Sequence, residues 1–572
     1  MKSRQQESLD SRPVAFYLAL LSILAFLPAL GNGFVYDDEG YILRNPNIGE
    51  LTPGNLWTIL TEPYFGNFHP LHHLLIALQR ALFGLNPLGW HALSLLLHGL
   101  NTALLYRVLL RLGIGGAVSV AGTALFAVHP LQAESVAWIS EQKNLLSLLF
   151  VLLSLGAYLR ARATGSVLPW IGSLLAFFLA LAAKVSAVAL PPVLMAIEIF
   201  SPRVPGAARG GALGRTLPFL LLAGLWANFG ITAHGEEGFI HPWPGGSPGA
   251  TLLTIAPVLV TYAGNLLWPL DLAAAYDLQP ASAMPPGELA ACWALVLAAG
   301  LGLVHLARRD RRRRVALGLV WISAFLLPVI NLIPIGTLLN DRYLYAPLCA
   351  VGPLLAGGLL AALRPAGTLL KVPSPVATRI GVVSAGLLLL FLSAGAWERA
   401  RVWKDEGTLW TDAAARSERS ALARFNLGTW WLEQGRADLA EAHLRAALEA
   451  DPTMTRPYHN LGVIYYGRGK FSLAAKFFEG GLRLAPDNYD LWMGLGAARA
   501  GAGDRDPAAA AFREALRLRP RAGAPLLAQG LLLAEGGEET AAATALRAFL
   551  ASGEGDAGQR RLAGERIRNL ER

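Results

Sequence analysis

The sequence predicts an all-α chain in two parts: a polytopic transmembrane helical domain of about eleven spans and, after it, an α-solenoid. Of the 572 residues, 54% are hydrophobic and only 16% are charged, which is too little charge for a soluble chain of this length. The apolar excess fills residues 14–397, whereas the rest of the chain is charged and rich in Ala, Leu and Gly. One part therefore belongs in a bilayer and the other in water.

Eleven apolar runs are long enough to cross about 30 Å of hydrocarbon. They are residues 14–31, 88–110, 115–131, 143–160, 168–183, 184–200, 215–233, 288–307, 315–335, 343–363 and 378–397. We expect the first span to be uncleaved, because no clear small-residue cleavage motif precedes the acidic stretch behind it. Residues 69–85 are interrupted by polar side chains, so we predict a helix that lies along the outer membrane surface.

The arginines orient these spans. Alternate gaps hold the basic residues Lys2, Arg4, Arg12, Arg107, Arg111, Arg160, Arg162, Arg203, Arg209 and Arg215. By the positive-inside rule, these gaps and the N-terminus face the cytoplasm. A further run, 251–270, would move the basic cluster at 308–314 to the outside if it crossed the membrane. We therefore predict that 251–270 is re-entrant or interfacial, and that the second part of the chain is extracytoplasmic.

The second part of the chain repeats every 34 residues. The recurring positions are Asn426-Leu427-Gly428 and Asn460-Leu461-Gly462, then Ala440, Ala474 and Ala508, and then Pro452, Pro486 and Pro520. Small residues at helix crossings and a terminal proline, at this period, are typical of the tetratricopeptide repeat. We assign repeats to 421–454, 455–488 and 489–522, a degenerate capping copy to 523–556, a linker to 400–420 and a C-terminal tail to 557–572. Such a solenoid can bind an extended chain on its concave face.

Composition argues against several functions. The net charge of +9 comes, in the first part, from arginines in the gaps between spans, so nucleic acid is not an expected partner. Cys292 and Cys349 both lie in apolar runs, so we expect no disulfide framework. Few charges fall within the spans, and no pair of broken helices recurs in matching halves, which argues against a transporter.

Unusual polar side chains collect in the loops on the predicted outer side. They are Asp37, Asp38, Glu39, His69, His72, His73, His129, Glu134, Lys143, Tyr262, Asn265, Asp341 and Arg342. A carboxylate can take the proton from an attacking hydroxyl, which is otherwise a poor nucleophile. Arg, Lys or His can stabilise the charge that grows on a departing lipid phosphate. The loops therefore indicate a surface site suited to transfer from a lipid phosphate to a hydroxyl.

These residues also have purely structural interpretations. The acidic stretch can be a solvated loop that ends a helix, because charges do not lie in hydrocarbon. Glu134 and Lys143 can pair with each other or with nearby charges at the end of a span, and Asp341 can form a local ion pair with Arg342. Lys184, between two apolar runs, can snorkel at a tight external turn.

The histidines at 69, 72 and 73 have the spacing of one helix face, which could bind a metal. Neither a cysteine nor an HExxH motif accompanies them, so they are better explained as interfacial polar groups.

Three motifs resemble the TMTC-type membrane proteins, which are multispanning proteins with tetratricopeptide tails, similar to protein O-mannosyltransferases of the GT-C class. The motifs are Phe34-Val35-Tyr36-Asp37-Asp38 with Tyr41-Ile42 and Asn45-Pro46, then His129-Pro130 with Glu134-Ser135-Val136-Ala137-Trp138-Ile139, and Asp341-Arg342-Tyr343-Leu344-Tyr345-Ala346-Pro347. The resemblance covers essentially the whole chain, the repeats included.

The resemblance implies an inverting, GT-C-like glycosyltransferase in residues 1–399. It would move a mannose-like sugar from a polyprenyl-phosphate donor to a protein hydroxyl on the extracytoplasmic face, and the repeats would recruit the acceptor. Asp37 is the expected base and Asp38 its support, although Glu39 leaves the choice among the three acids open. The expected donor-phosphate or substrate-binding residues are Arg342, Asp341, His69, His129, Glu134, Lys143, Tyr262 and Asn265.

No cofactor and no metal are predicted, because such transferases often work without a metal. The composition, rich in Ala, Gly and Arg, is typical of a bacterial protein and indicates the inner membrane. Two alternatives stay open. The acceptor can be a glycan or a lipid, or the chain can be a non-catalytic, membrane-anchored repeat scaffold.

Overall fold

The computed structural model describes residues 2–200, 212–236, 243–310, 313–334, 336–369 and 374–572. Within these ranges the regular elements are helices, which confirms the predicted all-α class. The chain forms two compact units, Met1–Asp412 and Ala413–Arg572. Arg203, Arg209, Arg311 and Arg312, on which the predicted orientation partly depends, lie outside the described residues.

In the described part of the chain, sixteen α-helices lie in the first unit or cross its boundary with the second. They are α1 (Lys2–Ala25), α2 (Pro53–Thr61), α3 (Pro70–Phe83), α4 (Pro87–Arg111), α5 (Gly116–Val128), α6 (Ala133–Ala137), α7 (Gln142–Thr164), α8 (Val167–Ala183), α9 (Leu190–Phe200), α10 (Ala212–Glu236), α11 (Pro248–Leu267), α12 (Pro286–Arg309), α13 (Arg314–Leu326), α14 (Leu348–Leu369), α15 (Ser374–Val402) and α16 (Glu406–Arg416). Several begin with a proline, whose missing N–H costs nothing in the first turn.

Five helical segments in the described part of the chain are long and apolar enough to cross a membrane. They are Pro87–Arg111, Ile139–Thr164, Pro248–Leu267, Pro286–Arg309 and Arg379–Val402. Six apolar helices are shorter: Arg12–Ala25, Gly116–Val128, Val167–Ala183, Val185–Phe200, Arg314–Val329 and Leu348–Ala361. Every predicted span thus contains a helix, while the number that cross stays a prediction.

The run at 251–270 forms one regular helix. It is α11, which continues through Pro257 and ends where the Trp268 N–H bonds to Gly264 O. A re-entrant segment would break in the middle, whereas α11 has the length of a span. Its position relative to the bilayer, and with it the predicted side of the second unit, stays a prediction.

Helix α3 differs from the predicted surface helix in the direction of its polar face. His72, His73 and Gln79 are buried, whereas Leu78 and Leu82 are exposed. Gln79 exchanges hydrogen bonds with Gln142 at the start of α7. Helix α3 therefore uses its polar face to pack against the rest of the unit and leaves leucines on its outer face, where a helix at a membrane surface contacts lipid. Its position at the membrane surface stays a prediction.

Two predicted spans are shorter in the structure, and the difference shapes the site. Helix α5 ends at Val128, so that His129 and Pro130 lie outside it, and α14 begins only at Leu348. The freed segments form ordered 3-10 turns, Pro130–Gln132 and Asp341–Leu344. These turns hold the second and third motifs that the sequence singled out.

The second unit is a solenoid of helix pairs. Its helices are α17 (Ala421–Glu433), α18 (Ala437–Ala450), α19 (Thr455–Gly467), α20 (Phe471–Leu484), α21 (Tyr489–Gly501), α22 (Arg505–Leu518), α23 (Gly523–Glu535), α24 (Glu539–Ser552) and α25 (Ala557–Leu570). A glycine with positive φ turns the chain between the helices of each pair: Gly435, Gly469, Gly503 and Gly537. Only glycine adopts this conformation without steric cost, which explains its return at the repeat period.

The ends of the repeat array are more helical than expected. The segment 400–420, predicted as a linker, holds the end of α15 and all of α16. Within it Trp403 and Trp410 are 2% exposed. The predicted tail is helix α25, which begins with a capping box between Asp556 and Gln559.

Candidate functional site

The first loop, which carries the acidic stretch, has a fixed and strained backbone. Tyr36, immediately before the acids, has a φ of 55°, a left-handed conformation that is uncommon for a bulky residue. Its ring packs on Trp138 and Trp410 at centroid distances of 5.3 and 5.0 Å, and its N–H donates to Glu406. A single π-helical turn, Glu39–Leu43, follows. Such strain and such turns are concentrated at functional sites.

The three adjacent acids have three different environments. Asp38 is fully buried and accepts hydrogen bonds from the N–H groups of Val35 (3.0 Å) and Ser140 (2.8 Å) and from the Ser140 hydroxyl. Glu39 is exposed and pairs with Arg44 at the surface. Asp37 is half-buried, and its charge acts on Tyr41 and Lys143. Asp38 therefore ties the first loop to the second, and Asp37 is near enough to Lys143 for its charge to act on that ammonium.

Behind this loop, Arg342 joins two buried glutamates. Its guanidinium pairs with Glu134 and lies 3.5 Å, Nε to Oε1, from Glu141. Its backbone N–H also donates to Glu134 Oε2 at 2.8 Å. The guanidinium stacks over Trp138. Glu134 and Lys143 therefore pair with other nearby charges, Arg342 and Glu141, and not with each other. The interpretation of Asp341 and Arg342 as a local ion pair is wrong, because Arg342 pairs with Glu134.

Glu141 is the centre of the cluster. Its carboxylate binds Lys143 at 3.1 Å and Lys184 at 3.3 Å. Asn144 donates to Glu141 Oε2 and accepts from the Lys184 ammonium at 2.7 Å. The snorkelling interpretation of Lys184 is therefore wrong, since this ammonium points into the protein and not toward a headgroup layer. Lys143 also lies over the Tyr41 ring, 4.9 Å from its centroid.

Asp341 belongs to a second, neighbouring network. It accepts hydrogen bonds from the Tyr276 hydroxyl at 2.6 Å and from the Asn265 amide at 3.4 Å. The Tyr262 hydroxyl donates to the backbone oxygen of Asn340 at 3.2 Å. These contacts fix α11 and the segment after it to the turn that carries Arg342, so they position the guanidinium.

The histidines divide into two groups. His129 joins loops, because its Nε2 lies 3.0 Å from Leu266 O and its Nδ1 accepts from the Leu131 N–H; it is not part of the charged cluster. His69, His72 and His73 are buried beside the cluster, and each has a ring nitrogen without a hydrogen-bond partner among the described residues. No group of three or more metal-ligating side chains with the geometry of a metal site occurs in the described ranges.

Burial is the main cause of the pKa shifts of the titratable side chains in these loops. It raises the pKa of Asp38 to about 7, although its bonds to Ser140 and Val35 oppose the shift. It likewise raises the pKa of Asp341 to about 7, and the charge of Glu134 adds to this effect. Burial and the charge of Lys143 lower the pKa of His73 to about 4. Burial and the same charge also lower the pKa of His69 well below its ordinary value. The imidazoles are therefore neutral at physiological pH.

A small cavity opens into the cluster. Its polar lining comes from Lys184, Arg342, Asn144, Ser186 and Tyr343, and its volume is about 30 Å³. Two cations from distant segments of the chain, Lys184 just after α8 and Arg342 in the turn Asp341–Leu344, thus line the same space, which suits a phosphate. Ligand pockets typically measure ~300–1,000 Å³, so a sugar enters only if side chains around the cavity move.

The structure brings together most residues that the sequence selected. Glu134, Lys143 and Arg342 form one cluster, to which Asp37 and His69 are adjacent. Asp38, Asp341, Tyr262 and Asn265 hold the surrounding segments in place, and His129 lies apart. Glu141 lies in the same polar loop as Glu134 and Lys143 but was not selected as a site residue, and sequence reasoning missed Lys184 and Tyr276 as members. A lysine within an apolar run was the available signal for Lys184, because buried charges in such segments need partners.

The fold and the site define a class of protein: a multi-pass helical membrane protein that has a cluster of buried charges in its loops and a tetratricopeptide solenoid. Models of the tetratricopeptide repeat match residues 408–455, 432–498 and 498–557. The chain is 26% identical to human protein O-mannosyl-transferase TMTC1 over 78% of its own length and 56% of that protein. It is 34% identical to Drosophila melanogaster protein O-mannosyl-transferase Tmtc2 over 26% of its length and 17% of that protein.

These relatives confirm the resemblance to TMTC-type proteins that the motifs indicated. The chain spans little more than half the length of the human relative. Among solved structures, the chain is similar to YrrB, described as a tetratricopeptide protein with an unusual peptide-binding site. The identity is 23%, and the match covers 28% of this chain and 84% of that chain. With a TM-score of 0.26, this likeness supports no functional inference.

Proposed function

We propose that the protein is a glycosyltransferase that moves a sugar from a polyprenyl-phosphate donor to a hydroxyl of a protein. The observation that carries the proposal is the cluster in which Arg342 and Lys184 meet the buried Glu134 and Glu141. The charge of Asp37 acts on Lys143, another member of this cluster. The names of the relatives, which are protein O-mannosyl-transferases, support the transfer of mannose.

The proposed reaction is a single displacement. The oxygen of a Ser or Thr hydroxyl forms a bond to the anomeric carbon while its proton passes to Asp37. The bond from the anomeric carbon to the phosphate oxygen breaks, and the lipid phosphate departs with the electron pair. The configuration at the anomeric carbon is thereby inverted.

Asp37 is the best candidate for the base among the three acids. Both oxygens of Asp38 already accept hydrogen bonds from Val35 and Ser140, and its side chain is not exposed. Glu39 lies in solvent against Arg44. Asp37 alone combines partial exposure with proximity to the cations, and a base must be within hydrogen-bond reach of the proton that it takes.

Arg342 and Lys184 are the proposed partners of the leaving phosphate. A guanidinium can bind two phosphate oxygens at once and stays charged, and an ammonium adds a second positive charge. Both line the same cavity beside Asn144. Since Glu134 and Glu141 already hold them in place, little reorganisation is needed as charge develops on the phosphate.

The test compares two neighbouring acids in one assay. Purified protein in lipid nanodiscs is given polyprenyl-phosphate mannose and a Ser/Thr-containing peptide, and release of polyprenyl phosphate is measured. We expect Asp37→Asn to reduce the rate by about 10²–10⁴-fold, the usual contribution of a general base. The matched control Glu39→Gln should keep the wild-type rate, and equal rates for both variants would overturn the assignment of Asp37.

We also propose that the solenoid recruits the protein acceptor. Asn460 on α19 donates to Thr429 at 3.0 Å, and the aligned Asn426 amide on α17 has no hydrogen-bond partner among the described residues. Amides on the first helices of successive repeats can bind the backbone of an extended peptide. Asn426→Ala with Asn460→Ala should slow transfer to an unfolded protein acceptor, which can bind the solenoid as an extended chain, and leave transfer to a short peptide unchanged. Equal slowing of both would contradict recruitment.

A further inference from the structure

A groove at the far end of α7 has no role in the proposed reaction. It lies between α4, α7 and the beginning of α8 and has a volume of about 510 Å³. Three arginines, Arg107, Arg111 and Arg160, line it together with apolar side chains, among them Leu104, Leu153 and Leu168. The groove therefore combines a basic end with an apolar wall.

Among the residues that the structure describes, the three arginines have no acidic partner. Arg111 donates to the backbone oxygen of Gly156 at 3.3 Å, but none of the three forms an ion pair with another residue in the described ranges. Arg162 and Arg215 in the same region differ, because both pair with Glu198 at 3.5 and 2.6 Å. Like charges that converge without a counter-charge create a positive potential that attracts an anion.

The position of the groove separates it from the candidate site. Asn144 in the charged cluster and Arg160 in the groove lie on the same helix, about 24 Å apart at a rise of 1.5 Å per residue. That distance approaches the ~30 Å thickness of the hydrocarbon core. The groove is therefore at the opposite end of the helix bundle, on the side predicted to be cytoplasmic.

We propose that this groove binds an anionic phospholipid, with its phosphate on Arg107, Arg111 and Arg160 and an acyl chain against Leu104, Leu153 and Leu168. Basic pockets between transmembrane helices on the cytoplasmic side suit anionic headgroups. The positive-inside rule explains why arginines lie in a cytoplasmic gap. It does not explain why three of them converge beside an apolar wall. That wall favours a lipid over free phosphate, because phosphate has no apolar part to bury.

The test measures which lipids stay bound. Full-length protein is reconstituted in nanodiscs of phosphatidylcholine with an equal amount of phosphatidylglycerol, and the retained lipids are identified by native mass spectrometry. We expect wild-type protein to retain phosphatidylglycerol. Arg107→Gln with Arg160→Gln should reduce retention by about 30-fold, given the usual contribution of each arginine near a membrane surface.

The matched control removes the same charge elsewhere. Arg308→Gln with Arg309→Gln, at the exposed end of α12, should leave retention unchanged. Equal loss in both variants, equal retention of phosphatidylcholine, or displacement of the lipid by inorganic phosphate would overturn the proposal.

A second measurement uses only wild-type protein, so it does not depend on how the variants fold. Photoactivatable phosphatidylglycerol should label peptides from 104–111 and 152–169. Labelling spread evenly over all apolar helices would contradict a groove site.

Discussion

Replacing Arg342 by methionine should destabilise the first unit strongly, because it leaves a buried acid without its cation. Glu134 and Glu141 are 4% and 2% exposed. Glu141 keeps Lys143 and Lys184, so the loss falls on Glu134, which retains only the backbone N–H of residue 342. Breaking a buried pair by removing one partner costs about 3–5 kcal/mol. The corresponding exposed pair is Glu39–Arg44, where Arg44→Met should cost about 0–1 kcal/mol.

The assay is equilibrium unfolding in mixed micelles, compared for the wild type, Arg342→Met, and Arg342→Met with Glu134→Gln. The double variant removes both charges, so it should recover much of the stability that the single variant loses. The cost of the single variant should also be smaller in acid, because protonation of Glu134 removes the uncompensated charge. A double variant as unstable as the single one, or a single variant no worse than Arg44→Met, would refute the network.

Two further predictions concern Asp38 and the solenoid. Burial raises the pKa of Asp38 from 3.8 to about 7, so between these pH values the native state keeps the carboxyl proton that the unfolded state releases. The free energy of unfolding should therefore fall as the pH rises from about 4 to about 7, by at most about 1.4 kcal/mol per pH unit. Asp38→Asn should reduce this slope when unfolding is measured across the same pH range. Gly462→Ala should destabilise the solenoid by about 1–3 kcal/mol in thermal unfolding, because the added Cβ would lie 2.6 Å from the Phe478 ring. The control Gly467→Ala should be neutral or slightly stabilising, because a Cβ at that position would have nothing within 4 Å.

Much of this fold could be predicted from periodicity alone. Apolar runs give helices in the first unit, and the 34-residue spacing of Ala440, Ala474 and Ala508 gives the helix pairs of the second, because both patterns are local. The prediction of a linker at 400–420 differs from the structure because the order of this segment depends on contacts with residues far away in the sequence. Trp403 is buried because it stacks on Trp138, 5.2 Å between ring centroids, and such a contact between distant residues is not visible in the sequence.

The site shows the same division. The motifs selected Glu134 and Arg342, which pair with each other in the structure, and Asp37, whose charge acts on Lys143. They did not give the partners of these residues. Lys184 reaches Glu141 only because α8 ends beside the start of α7, and Arg342 binds Glu134 across more than two hundred residues. Which charges pair with each other depends on how the helices pack, and this is not visible in the sequence. Which residues carry those charges can be recognised from the sequence of the loops alone.

The most direct test of the central claim is to follow donor and acceptor together. Full-length protein is incubated with polyprenyl-phosphate mannose and a Ser/Thr-containing protein acceptor, and free polyprenyl phosphate and modified acceptor are both quantified by mass spectrometry. We predict that the two products appear in equal amounts with wild-type protein and with Glu39→Gln, and that neither appears with Asp37→Asn. Donor that is never consumed, or a hexose that is transferred at the same rate by the Asp37→Asn variant, would contradict a glycosyltransferase whose base is Asp37.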